Sequence, residues 1–195
     1  MSHHQEMTQR DRGLVVIRPA TQSDLATLLD FRMAMLAELS DPATQPPAGV
    51  EQLRDANEAW LGEHFGRGFS AWIAELDGVP VASAGVQWLE LPPAPRNPGG
   101  TEAYMLNVYT RPEARRLGLA RKLVQRIIDE ALAADVRRIW LRASQYGRPL
   151  YESMGFGAGS YLQLRANPTL LPTGGDPSLG NGGGPSLGNG TLGDR

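Results

Sequence analysis

Cysteine is absent from all 195 residues, and histidine occurs only at His3, His4 and His64. Without thiols there is no disulfide, no thiolate zinc site and no covalent cysteine intermediate. Two of the histidines belong to a polar N-terminal stretch. A metal centre or a Ser-His-Asp triad would have to be built on His64 alone, so no metal is expected. Excess charge of either sign is missing too: 19 Lys and Arg stand against 21 Asp and Glu, a formal net charge of −2. That balance lacks the basic footprint of a nucleic-acid binder. No apolar run reaches the roughly 18 residues needed to span a bilayer, so no membrane partner is expected. The first dozen residues lack the apolar segment of a secretion signal, and the expected location is the cytoplasm. The chemistry is left to carboxylates, hydroxyls, amides and the backbone.

Glycine and proline are unevenly placed. After Pro172 the chain turns rich in Gly, Pro, Ser and Asn, with PSLGNG at residues 177–182 and again at 185–190. Such a repeat buries too little apolar surface to offset its ordering entropy. Residues 1–12 are polar and aperiodic. The expected organisation is a disordered N-terminal segment at 1–12, a single domain at 13–166 and a disordered tail at 167–195.

Between the ends the hydrophobic period alternates. Residues 14–18 (LVVIR) are a β-branched run stopped by Pro19, hence a strand. Thr21 or Ser23 can cap a helix in which Leu25, Leu28, Leu29, Arg32, Met33 and Leu36 recur at helical spacing. Pro42, Pro46 and Pro47 break it, and a second helix is expected over 50–65. Residues 70–76 and 79–89 form a hairpin through Asp77-Gly78. After a Pro-rich loop at 91–100, residues 102–110 (EAYMLNVYT) are the next strand. Residues 119–134 are the clearest helix, with Leu123, Val124, Ile127, Ile128 and Ala131 on one face. A strand at 138–142, a short helix at 148–154 and a last strand region at 156–165 complete the order β-α-α-β-β-β-α-β-α-β. That order is α/β with a mixed sheet, since hairpin strands precede strand–helix–strand crossovers.

One junction carries chemistry. The strand at 102–110 runs through RPEA into Arg115-Arg116-Leu117-Gly118-Leu119-Ala120 and directly into the long helix. The first N–H groups of a helix lack internal partners, and the dipole makes that end an anion site. Gly118 removes the Cβ that would hold a ligand off the backbone, Ala120 keeps the opening turn small, and Arg115 and Arg116 add positive charge. Taken alone this is a weak signal, because glycines before helices are common. It is neither a Walker loop nor a Rossmann fingerprint, since no Gly-Lys-Ser/Thr and no G-x-G-x-x-G is present.

The R-x-x-G-x-A pattern, with residues 108–110 and Pro112 ahead of it, resembles the pyrophosphate-binding motif of the GNAT superfamily of acyl-CoA-dependent N-acyltransferases. Leu150-Tyr151-Glu152-Ser153-Met154-Gly155-Phe156 is similar to that superfamily's L-Y-x-x-x-G-F signature. The wording around Gly147–Glu152 also looks like a bacterial acetyltransferase subgroup. The resemblance covers about residues 14–165 and implies a GNAT-like mixed central β-sheet flanked by helices. It further implies acetyl-CoA as co-substrate and an amine substrate; no peptide-binding feature is legible, so a small molecule is favoured, no metal is expected, and a homodimer is allowed for. By position, Val108, Tyr109 and Thr110 would offer backbone groups to the pantetheine arm, as an added strand would receive them. Arg116, Leu117, Gly118, Leu119, Ala120 and Arg121 would surround the pyrophosphate. Ser144 stands where many members carry an Asn that contacts the cofactor. The N–H of Val108 would polarise the thioester carbonyl, and Tyr151 would hydrogen-bond or protonate the leaving thiolate.

The residues leave other readings open. Tyr151 lies in an amphipathic short helix, where core packing is the ordinary role. Glu102, which points to the same face as Tyr104, and Glu38, near the end of the first helix, are candidate bases or plain surface charges. Asn107 and Tyr109 can line an amine pocket or pack. Trp60, Trp72, Trp88 and Trp140 read as core or rim, and the Pro-rich loop as a flap over the substrate or a connection. Two other classes of function also fit the anion junction: a CoA-binding sensor or module without turnover, and an unrelated phosphate-ligand protein. Within the enzyme reading, a protein or peptide amine is the alternative acceptor.

Overall fold

The computed structural model describes residues 13–39 and 49–159. One compact unit runs to Gly157; of a second, beginning at Ala158, only residues 158–159 are described. The expected domain end at 166 and both expected disordered ends lie outside the described residues.

Five strands form one sheet in the order β1-β2-β3-β4-β5. They are β1 (Val15–Pro19), β2 (Phe69–Leu76), β3 (Val79–Glu90), β4 (Thr101–Thr110) and β5 (Ile139–Leu141). The first four pair antiparallel and β5 joins β4 in parallel, so the sheet is mixed as the crossover pattern requires. Asp77 and Gly78, with φ of 51° and 79°, form the β2–β3 turn in the left-handed region that a two-residue hairpin of this twist demands. Among the described residues, four α-helices flank the sheet: α1 (Leu25–Leu39), α2 (Val50–His64), α3 (Leu119–Ala133) and α4 (Arg148–Glu152). Of the expected last strand, residues 156–159 have no regular structure and the remainder lies outside the described residues.

Strand alternation sends two apolar sets to opposite faces. Ala82, Ala84, Val86, Ala103 and Met105 meet Leu119, Leu123, Val124 and Ile127 of α3. Phe69, Ala71 and Ile73 meet Leu28 and Leu29 of α1 and Leu61 of α2. Every residue of β3 from Val81 to Val86 is therefore buried, as expected for a strand covered on both sides. Trp72 secures α3 at the rim, donating its Nε1 hydrogen to Glu130 Oε2 at 2.9 Å under the Arg126 guanidinium.

At the start of α1, one arginine joins three elements. The Arg18 fork on β1 donates to both carboxylate oxygens of Asp24, at 2.8 and 2.9 Å, and to Glu75 Oε1 on β2 at 2.8 Å. Asp24 in turn accepts from the N–H of Thr21 at 2.7 Å, fixing the entry into the helix. Thr21 thus caps a 3-10 turn (Gln22–Asp24) that leads into α1. The Arg18 hydrogen bonds, which outweigh desolvation, hold the Asp24 carboxyl well below the usual carboxylate range.

A carboxylate held down in the folded state adds stability above its unfolded pKa of about 3.9, and that stability is lost as pH falls through the folded value. Asp24→Asn is expected to cost about 1.5–3 kcal/mol at pH 7, measured by urea unfolding. The difference from the parent protein should shrink progressively as pH falls below about 4, because the unfolded chain then takes up a proton that the folded carboxylate, still ionised, does not.

Candidate active site

β4 and β5 pair over only three residue pairs, from Ala103↔Ile139 to Met105↔Leu141. Beyond that point β4 bulges. Leu106 lies opposite Gly85 and Tyr109 opposite Ser83, so β4 uses one more residue than β3 over the same span. Asn107 takes the strain at φ 56°; asparagine tolerates the left-handed region better than other residues with a Cβ. Gly85 is required across from the bulge, since a Cβ there would come within 2.6 Å of the Phe69 ring. An extra residue bends and twists the strand that carries it. β4 and β5 part, and a cleft of about 990 Å³ opens along β4 from Tyr104 to Thr110, walled by α1, α4 and the start of α3.

At the mouth of this cleft stands the turn before α3. Arg116 and Gly118 both have left-handed backbone, with φ of 64° and 75°, and Gly118 is the residue preceding the helix. The first helical bond runs from the N–H of Lys122 to the carbonyl of Gly118. Among the described residues, none of the six N–H groups of residues 116–121 donates to a protein acceptor. A Cβ on Gly118 would meet nothing within 4 Å, so this backbone borders open space. Arg116, Leu117 and Arg121 are exposed or partly exposed around it, and Leu119 closes the core beneath. Unpartnered N–H groups at the positive end of a helix, with arginines beside them, are a donor set that suits an anion such as a pyrophosphate.

Other expected residues gather on the same cleft. Val108, Tyr109, Thr110, Ser144 and Tyr151 all line it, together with Gly118, Leu119, Ala120 and Arg121. The Thr110 hydroxyl is buried and finds no hydrogen-bond partner among the described residues. Ser144 turns inward: its Oγ accepts from the N–H of Gly147 at 3.2 Å, and its carbonyl accepts from Arg148, which starts α4. Tyr151 packs edge-on to Phe156 at 5.9 Å between ring centroids. Gly147 makes room for it, since a Cβ there would stand 2.9 Å from Tyr151 Cε2. Burial pushes the Tyr151 phenol above its usual value, so it remains a protonated donor through neutral pH.

The two carboxylates differ in place. Glu38 lines the cleft, where Arg115 donates to both its oxygens at 2.7 and 2.6 Å and the Tyr109 hydroxyl donates at 3.2 Å. Glu102 is 3% exposed and bound to Arg138 at 2.9 Å. It does not line the cleft; Tyr104, two residues further along the same face, does. The indole of Trp140 packs against Tyr104 with the rings tilted by 32° and their centroids 4.3 Å apart. Sequence reasoning missed Arg32, whose guanidinium reaches from α1 into the cleft wall and donates to Asn57 of α2 and Asn107 of the bulge. The signal was present: an arginine inside the apolar repeat of α1 needs a polar partner or a function.

Comparison with known proteins agrees with this geometry. A GCN5-related N-acetyltransferase from Ralstonia eutropha superposes with a TM-score of 0.70 at 27% identity, covering 78% of this chain and 99% of that one. A predicted acetyltransferase with acetyl-CoA from Clostridium acetobutylicum matches with a TM-score of 0.69 at 26% identity, over 78% and 96% of the two chains. A ribosomal-protein-alanine N-acetyltransferase from Brucella melitensis shares the fold at 20% identity, with a TM-score of 0.59 over 79% and 99%. A search of curated proteins finds no match. The model of the Acetyltransferase (GNAT) family matches residues 33–156, a span that includes the bulged strand, the turn before α3 and Tyr151. With the splayed β4–β5 pair and the free N–H turn in place, the chain belongs to the GNAT family of acetyltransferases.

Proposed function

We propose that the protein transfers the acetyl group of acetyl-CoA directly to the primary amine of a small molecule. The observation that carries this reading is the run of six unpartnered N–H groups at residues 116–121, opening onto the cleft that Tyr151 lines. When bound, acetyl-CoA supplies the thioester carbonyl. The N–H groups of residues 116–121 hold its pyrophosphate, and the β4 backbone at Val108, Tyr109 and Thr110 receives the pantetheine arm where β5 has withdrawn.

Acyl transfer forms one C–N bond and breaks one C–S bond, and no protein nucleophile is needed. The amine must lose a proton, since at pH 7 only about one lysine-like amine in 2,500 is neutral. Glu102 is our candidate for the base; its carboxylate is buried against Arg138 and does not itself line the cleft, so the proton would have to reach it by a relay from the side of Tyr104. The N–H of Val108 stabilises the oxyanion. Tyr151 hydrogen-bonds or protonates the departing thiolate, an assignment supported by its place in the cleft.

Tyr151→Phe keeps the ring against Phe156 and removes only the donor. With a turned-over amine in hand and chemistry limiting, kcat should fall by roughly 10²- to 10⁴-fold, while acetyl-CoA affinity by calorimetry stays the same. An unchanged kcat would make Tyr151 a packing residue.

Glu102→Gln should lower kcat at pH 7 by at least about 10²-fold and recover as pH approaches the amine's own pKa. A variant that loses only melting temperature, with an unaltered pH–rate profile, would reduce Glu102 to the partner of Arg138. Calorimetric binding of acetyl-CoA without acetylation of any amine would favour a non-catalytic CoA-binding module.

A further inference from the structure

Most arginines that meet a partner here meet a carboxylate: Arg18 with Asp24, Arg54 with Asp30, Arg115 with Glu38, Arg138 with Glu102. Arg32 is different. Its Nε donates to Asn57 Oδ1 and its Nη1 to Asn107 Oδ1. Among the described residues no carboxylate pairs with it. Both partners are neutral amide oxygens, and both are held in place. Asn57 is buried and its Nδ2 donates to the carbonyl of Leu53 at 2.7 Å, which turns Oδ1 towards the arginine. Asn107 is fixed by the left-handed backbone of the bulge.

A guanidinium offers five N–H donors in a rigid fork. Two are used by the asparagines, so three remain, one on Nη1 and both on Nη2. Arg32 lines the cleft, and the fork has been oriented there by two elements at once. Taking a cation out of water without a counter-ion is costly, and desolvation indeed lowers the Arg32 pKa. A fold that holds such a group against neutral partners has left its charge for a ligand to balance.

We infer that Arg32 is the recognition site for a carboxylate on the acceptor, and that the amine substrate is a short amino carboxylate such as a free amino acid. This rests on the acetyl-transfer reading above. Two parallel N–H groups match the two oxygens of a planar carboxylate, and one negative charge balances the single unpaired cation. The spacing limits the substrate as well. Asn107, which Arg32 grips, directly precedes Val108, the proposed oxyanion donor. The bound carboxylate and the attacking nitrogen are therefore close, which suits an amine a few bonds from its carboxylate and not the end of a long side chain.

The test uses the full chain with acetyl-CoA and follows thiol release. The acceptor panel comprises free amino acids, their carboxamides, their decarboxylated amines and a phosphorylated amine, phosphoethanolamine. At least one amino acid should exceed its own amide and decarboxylated form in kcat/KM by roughly 10- to 150-fold, the value of a hydrogen bond to a charged group. In Arg32→Met that ratio should fall towards one. Arg32→Lys, which keeps the charge but loses the fork, should retain part of it, and far-UV spectra report whether each variant is folded. Transfer to neutral amines with no preference for carboxylates would overturn this inference and leave the acetyltransferase reading standing. Preference for phosphoethanolamine would overturn the carboxylate assignment. Transfer to no amine at all would sink both readings together.

Discussion

The site depends on one extra residue in β4. Without the bulge at Asn107, β4 and β5 could continue in parallel past Met105 and Leu141, and their paired backbones would close the space that is now a cleft. With it, the strands part after three residue pairs, and β4 from Asn107 onward presents backbone that an added strand can use. The cost is local: a left-handed non-glycine residue, and a glycine opposite to admit Phe69. Sparsely populated backbone of this kind persists only where neighbouring packing determines it. Here the sheet is clamped on one face by α3 and on the other by α1 and α2.

The same bulge aligns the rest of the site. Asn107 holds Arg32 on one side, while β4 leads on the other through Arg111 and the short Pro112–Ala114 helix to the turn at Arg116 and Gly118. That turn and α3 then deliver six N–H groups to the cleft's mouth. Arg115 crosses to Glu38 at the end of α1, joining the turn before α3 to the helix that carries Arg32. The turn before α3, the bulged end of β4 and the Arg32 side of α1 thus border one cleft.

Much of this was legible from residues alone. Periodicity located the described strands and the helices α2, α3 and α4 within one or two residues; the apolar repeat of α1, read as far as Leu36, continues to Leu39, and the 3-10 turns at 22–24 and 112–114 were not anticipated. Asp77-Gly78 reported its own turn, since few residue pairs accept two left-handed conformations in succession. The Gly118 turn was legible from a glycine placed between a strand and a helix, and the motifs at residues 115–120 and 150–156 carried the family. The bulge was not legible. EAYMLNVYT reads as an unbroken strand, and the extra residue shows only in the register with β3, which is a long-range property. An asparagine in a strand interior was the one local hint, as it is depleted in strands and tolerant of positive φ. Arg32 was hidden differently: it falls in the apolar spacing of α1, and its partners lie 25 and 75 residues away. Glu102 was visible as a carboxylate, but its pairing with Arg138 depended on the parallel placement of β5.

The central claim is that the backbone of residues 116–121 and the bulged end of β4 bind the co-substrate. The most direct measurement is an amide ¹H–¹⁵N titration of the full chain with acetyl-CoA. The account predicts that the largest shifts fall on the N–H groups of residues 116–121, with a second group at residues 107–110, saturating together at one affinity. Shifts scattered over the surface, or concentrated away from both segments, would contradict it.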